Sequence, residues 1–243
     1  MTQRLDGRKV LITGANGGLG EEFVRQALAR GAARVYATAR RPHPWEDARV
    51  APLTLDLTDP QSITAAAAAA RDVDLVINNA AIAPEDDRSV LTQDDEITRR
   101  VFETNFFGTL RVARAFAPLL AGNGGGAFLN VLSAAIWIPV PTAYAASKAA
   151  AWSATNAMRA ELTAQGTTVT AVVVGMVDTA MSARWDMPKV SAESVVEQSL
   201  DGVLSGAFEV LADDDSRLAK SLLSEPYEEL HAVAVQALSD FKP

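Results

Sequence analysis

The 243-residue chain predicts an α/β fold, a single domain in which helices cover both faces of a parallel sheet. Three observations point there. Short apolar runs alternate with helical stretches from residue 10 to residue 211. A glycine-rich turn stands between the first apolar run and the first helix. No linker, repeat or block of five like charges divides the chain.

The elements follow in order. Val10-Leu11-Ile12 reads as a buried strand, apolar on both faces. Residues 21–30 form a helix that Gly31 ends. Residues 34–39 are the second strand and residues 53–55 the third. Asp59-Pro60 then sets a capping carboxylate before a proline at the first helical position. That helix carries the alanine run 65–70, and residues 74–77 give the fourth strand. Residues 92–120 read as one long helix, stopped by Gly122-Asn123-Gly124-Gly125-Gly126. Residues 127–132 are the fifth strand, 142–164 a helix, and 168–174 the sixth strand. Residues 191–205 are helical and 208–211 a short seventh strand. Residues 212–243 form a helical tail, in which Asp213-Asp214-Asp215 caps a helix at a solvated turn and Glu225-Pro226 separates two helices. Right-handed crossovers make this a doubly wound, Rossmann-type sheet of seven parallel strands.

Composition narrows the chemistry. There is no Cys, which removes disulfides, thiolate metal sites and a Cys nucleophile. With only His43 and His231, a multi-His metal centre is not expected, and no metal is assigned. Lys plus Arg is 22 against 30 Asp plus Glu, so the net charge of −8 argues against nucleic acid as the main partner. No apolar stretch is long enough to cross a membrane, and the N-terminus lacks a signal-like apolar core, so a cytoplasmic location is expected. Apolar residues are 49% of the chain, but 45 of them are Ala, which suits close helix packing and adds little to the core.

Thr13-Gly14-Ala15-Asn16-Gly17-Gly18-Leu19-Gly20 follows the first strand and opens the first helix. Gly14, Gly18 and Gly20 let the backbone turn sharply and approach a ligand. The helix N-terminus offers unpaired N–H groups to a pyrophosphate. An acid usually ends the second strand of an NAD site; here Ala39 and Arg40 stand instead. A cation there suits the 2′-phosphate of NADP(H). Asp56, ending the third strand, would accept from the adenine amino group. A plain tight turn, solvated arginines and a helix cap are the structural alternatives for these three features.

Tyr144 and Lys148 stand four apart at the start of a helix, on one face. An ammonium beside a phenol favours phenolate and lowers its pKa from near 10. Tyr144 would thereby become a general acid for a developing alkoxide.

Taken together, the Gly loop, Asp56, Asn78-Asn79-Ala80, Asn105, Ser133, Tyr144, Lys148 and Thr179 occur in the order seen in one family. The chain resembles the short-chain dehydrogenase/reductase family, in its compact single-domain branch, from about Lys9 to Met181. The resemblance implies that Tyr144 donates a proton to a carbonyl oxygen and Ser133 hydrogen-bonds that oxygen. It implies that Lys148 binds the nicotinamide ribose and that Asn105 holds a water linking Lys148 to solvent. Gly14, Asn16, Gly18, Leu19, Gly20, Arg40, Asp56, Leu57, Asn79, Ala80, Tyr144, Lys148, Gly175, Val177 and Thr179 would line the cofactor, NADP(H). Ile82, Trp137, Met181 and Trp185 would line the substrate cleft, whose apolar character suggests an apolar or aromatic carbonyl compound.

Departures from the family pattern carry expectations too. Ala81 replaces a usual Gly and is tolerated if φ stays negative; Val174 replaces the Pro of a usual Pro-Gly, and the turn loses a φ constraint. Few residues separate Thr179 from the helix at Ser191, which predicts a short lid and an open cleft. The tail would cover the family's tetramer surface, favouring a monomer or homodimer. The activity so implied is NADPH-dependent carbonyl reduction, reversible as alcohol dehydrogenation. A catalytically silent NADP(H) sensor, or a dehydratase or epimerase on the same scaffold, is the alternative.

Overall fold

Strands β1 (Lys9–Thr13), β2 (Arg34–Ala39), β3 (Val50–Thr54), β4 (Leu75–Asn78), β5 (Gly126–Val131), β6 (Thr167–Val173) and β7 (Glu209–Leu211) pair in parallel in a computed structural model. It describes residues 4–240, the side chains of 237–240 excepted. The strand order is β3-β2-β1-β4-β5-β6-β7. The order reverses direction between β1 and β4, so a crevice opens at their C-terminal ends. The expected seven-stranded, doubly wound sheet is present.

Side chains alternate across β1, as strand geometry requires. Val10 and Ile12 enter a cluster with Phe23 and Val24 of α1 (Leu19–Ala29) and with Val196 and Leu200 of α6 (Ala192–Leu204). Leu11 enters the opposite cluster, with Ile63 of α2 (Pro60–Ala69) and with Phe116 of a helix described below. A smaller third cluster joins α5 (Ala143–Leu162), α7 (Asp214–Ser221) and the loop after β5. The last helix, α8 (Tyr227–Asp240), follows Glu225-Pro226, so the tail divides as the proline predicts. Among the described residues, no helix is long and apolar enough to cross a membrane.

Two expectations change. The third strand starts at Val50 rather than 53 and runs through Pro52. That proline is tolerated because β3 is an edge strand, paired only with β2. The long helix is three pieces: α3 (Asp95–Phe102), a π-helical turn over Glu103–Gly108, and α4 (Thr109–Gly122), which carries Phe116. Its start shifts from 92 to 95 because the Asp94 carboxylate caps it, accepting from the Glu96 N–H at 3.1 Å. The π turn coincides with a close approach: a Cβ on Gly108 would stand 2.6 Å from the Leu57 side chain. It also turns Asn105 inward to the loop after β4.

Candidate active site

The glycine loop leaves β1 directly into the crevice. Gly14 and Gly18 have φ of 69° and 55°, conformations that L side chains rarely adopt. Gly20 has no room for a Cβ, which would run into the Gly14 carbonyl. A Cβ on Gly17, by contrast, would meet nothing within 4 Å, so that rim faces open space. The loop is braced from both neighbours. Asn79 Nδ2 donates to the Thr13 carbonyl at 2.9 Å, and the Thr13 hydroxyl accepts from the Asn79 and Ala80 N–H groups. On the other side Asn16 Nδ2 donates to the Arg41 carbonyl at 2.7 Å. Gly18, the α1 N-cap, offers no side-chain cap, and the Gly20 N–H turns back to the Gly17 carbonyl at 3.1 Å, so this helix start keeps a positive end without a capping side chain. These features fit a dinucleotide pyrophosphate.

Arg40 is exposed at the end of β2, beside that loop. Asp56 lies within its field; hydrogen bonds from the Thr58 N–H and hydroxyl, more than Arg40, hold the Asp56 carboxyl below its ordinary range. Both Thr58 bonds go to Oδ1, which leaves Oδ2 to accept from a base. Leu57 is a core side chain, 6% exposed, so only its main chain can meet a cofactor. Ala81 keeps a negative φ, as its tolerance requires.

The reacting groups lie at the start of α5. Thr142 caps this helix, accepting from the Ala145 N–H at 3.1 Å. Tyr144 is half-buried, with the Ser133 side chain placed to hydrogen-bond its phenol. Ser133 caps a short helical turn over Ala134–Ile136 and also accepts from the Ala135 N–H at 3.2 Å. Lys148 is buried, donates to the Val131 carbonyl at 2.8 Å and has its Nζ 5.7 Å from the Tyr144 ring centre. Burial pushes the Tyr144 phenol above its ordinary value, and the Ser133 hydrogen bond offsets part of that rise. Burial also lowers Lys148 to about 8. The expected downward pull of Lys148 on the phenol is not seen: burial sets the direction, and the group that opposes it is Ser133.

Asn105 is 2% exposed and almost fully engaged. Its amide donates to the Ile82 carbonyl at 2.9 Å and to the Ser147 hydroxyl at 3.1 Å, and Oδ1 accepts from the Ile82 N–H at 2.8 Å. It pins the cleft wall; only the second lone pair of Oδ1 remains for a water.

Across the crevice, Val177 bridges Val190, so both ends of the lid are tied at its base. Thr179 packs toward the glycine loop; a Cβ on Gly18 would stand 3.3 Å from its methyl group. Met181 is exposed and Trp185 half-buried, with the Arg184 guanidinium 4.0 Å from the Trp185 ring centre. The lid is short, as expected, yet it touches the far wall: Arg184 donates to the Ala83 carbonyl at 3.4 Å. Trp137 is corrected. It is 8% exposed in the third core cluster, with Trp152 edge-on and the Lys220 ammonium 4.8 Å from its ring centre. The turn after Ser133 folds it under α7 rather than over the cleft.

Sequence reasoning missed Asp87. This carboxylate, 7% exposed, accepts from the Ala143 N–H at 2.8 Å and the Tyr144 N–H at 2.7 Å. It thus holds the first turn of α5, where Tyr144 sits. In sequence it stands in Glu85-Asp86-Asp87, which reads as a solvated acidic loop. Its partners are 56 and 57 residues away, so no local pattern marks it.

Residues 8–189 match the short chain dehydrogenase family. The chain belongs to that family. A galactitol 2-dehydrogenase (L-tagatose-forming) of Cereibacter sphaeroides is 34% identical over 192 residues, 74% of this chain and 75% of the relative. A 1-deoxy-11-beta-hydroxypentalenate dehydrogenase of Streptomyces exfoliatus is 31% identical, covering 88% and 86%. Among solved structures, a short chain dehydrogenase from Burkholderia cenocepacia in complex with NADP is similar at a TM-score of 0.89. It is 35% identical and covers 99% of this chain and 100% of its own. An NADPH-bound carbonyl reductase from chicken fatty liver is 28% identical at a TM-score of 0.76, covering 84% and 94%. The protein is an oxidoreductase of this family, acting between alcohol and carbonyl groups.

Proposed function

We propose that the protein is an NADP(H)-dependent carbonyl reductase that also runs as an alcohol dehydrogenase. The reading is carried by one constellation: Tyr144 with the Ser133 side chain placed to hydrogen-bond its phenol and Lys148 one turn further on, in a fold whose glycine loop is flanked by Arg40. The nicotinamide, when bound, supplies or accepts the hydride. Gly14, Gly18 and the open N-terminus of α1 hold the pyrophosphate, and Arg40 takes the 2′-phosphate. Tyr144 delivers its proton to the carbonyl oxygen, and the Ser133 hydroxyl donates to the same oxygen as its charge grows. Lys148 binds the ribose hydroxyls, and its charge favours the phenolate left by proton transfer. The remaining lone pair of Asn105 Oδ1 accepts a water that returns the proton to Tyr144 through Lys148. Ile82, Met181 and Trp185 give the cleft an apolar lining, which favours an apolar or aromatic ketone or aldehyde. NADP-bound and NADPH-bound relatives support the cofactor choice.

The test is loss of NADPH absorbance with a panel of aryl ketones, aliphatic ketones and aldehydes, repeated with NADH. Arg40→Ala should weaken NADPH by about tenfold or more, as loss of a charge-assisted phosphate contact does, and leave NADH nearly unchanged. Equal losses for both cofactors would remove the 2′-phosphate role.

A further inference from the structure

The C-terminal tail packs against the turn that follows β6. β7 lies in register with β6, Val173 opposite Leu211, and the Ala212 N–H extends that ladder to the Val173 carbonyl at 2.9 Å. The same register carried two residues further brings Asp213 level with Gly175. There Asp213 uses both carboxylate oxygens. Oδ1 accepts from the Ser216 N–H at 2.9 Å and caps α7, while Oδ2 accepts from the Gly175 N–H at 2.6 Å. What glycine offers at 175 is space rather than a left-handed backbone, since its φ is not positive. A Cβ there would stand 2.9 Å from Asp213 Oδ2 and 3.0 Å from Asp215 Oδ2. The acidic turn is therefore packed directly onto the main chain that leaves β6 for Val177 and the lid.

This fit meets a deficit in the sequence. Val174 leaves φ free where a proline would fix it at the entrance to that turn. We infer that Asp213 is a positioning residue for the nicotinamide end of the cofactor: its carboxylate holds the Gly175 turn from the tail, in place of the restraint a proline at 174 would give. The inference rests on the proposed cofactor reading, in which the nicotinamide lies against Gly175, Val177 and Thr179. The missing proline and the acidic turn thereby become one device. Because Val177 follows on the same turn and bridges Val190, Asp213 also steadies the base of the lid.

The experiment measures binding of NADPH and of 2′-phospho-ADP-ribose, which lacks the nicotinamide, to the full-length protein by calorimetry. The proteins are wild type, Asp213→Ala, Asp213→Ser, Val174→Pro and the Asp213→Ala/Val174→Pro pair. Serine keeps a capping oxygen for α7, so it separates the helix cap from the hold on Gly175. Val173 lies in β6, in the extended conformation that a residue before proline takes. Losing one charge-assisted hydrogen bond should weaken NADPH about tenfold in both Asp213 variants. The nicotinamide-free fragment should bind as before. Val174→Pro should restore most of the loss in the double variant while changing the wild type little. Unchanged NADPH affinity, equal loss for both ligands, or no rescue by proline overturns the proposal. A wild type that binds the fragment but gains nothing from the nicotinamide overturns the inference together with the cofactor placement under it. A wild type that binds neither ligand overturns the cofactor reading itself.

Discussion

Lys148 shows how one residue carries opposing demands. Its ammonium sits buried against the Val131 carbonyl, and desolvation lowers its pKa from 10.5 to about 8. A lysine with a depressed folded pKa favours folding only when neutral. Below about pH 8 the full penalty of the buried charge is present. Between about 8 and 10.5 the unfolded chain binds more protons, so stability rises with pH. Relative to Lys148→Met, the wild type should gain stability across that window, with a slope of at most about 1.4 kcal/mol per pH unit. Urea titrations at several pH values read this directly, and parallel curves for the two proteins would contradict it. The residue type and its spacing from Tyr144 were legible in the sequence. The balance of burial against charge was not, because it depends on how α5 packs over β5.

At the scale of elements, α5 is placed by groups distant in sequence. Asp87 caps its first two amides, Asn105 reaches it through Ser147, and Thr142 caps it locally. Only the last is a pattern that a linear reading detects. Asp87→Ala should lower stability by about 1–3 kcal/mol, the range for losing a helix cap and a charged acceptor. It should lower kcat more than it raises KM for NADPH, since it loosens Tyr144 rather than the glycine loop. Asp87→Asn, which keeps one acceptor oxygen, should fall between; steady-state kinetics with urea unfolding measure both effects. The π turn escaped the sequence for a related reason. Its cause is the contact of Gly108 with Leu57 and of Asn105 with Ile82, neither of which shows in helical periodicity.

For the molecule as a whole, the doubly wound sheet of seven parallel strands followed from alternation of apolar runs and helices, because right-handed crossovers leave few topologies. The glycine loop and the Tyr144–Lys148 spacing stand out in the sequence because each opens a regular element, whereas Ser133 is singled out only by the family resemblance. Trp137 was misplaced because a loop residue's direction depends on the turn that carries it, and here that turn points into the core. The hold of Asp213 on Gly175 was invisible because the tail's path is set by the β6–β7 register. The central claim is that Tyr144 supplies the proton for carbonyl reduction at this crevice. Its most direct test compares turnover and NADPH binding in wild type and Tyr144→Phe on the best carbonyl substrate. The account predicts a fall in kcat on the order of 10²–10⁴, as loss of a general acid gives, with NADPH affinity retained. Undiminished turnover in Tyr144→Phe would contradict it.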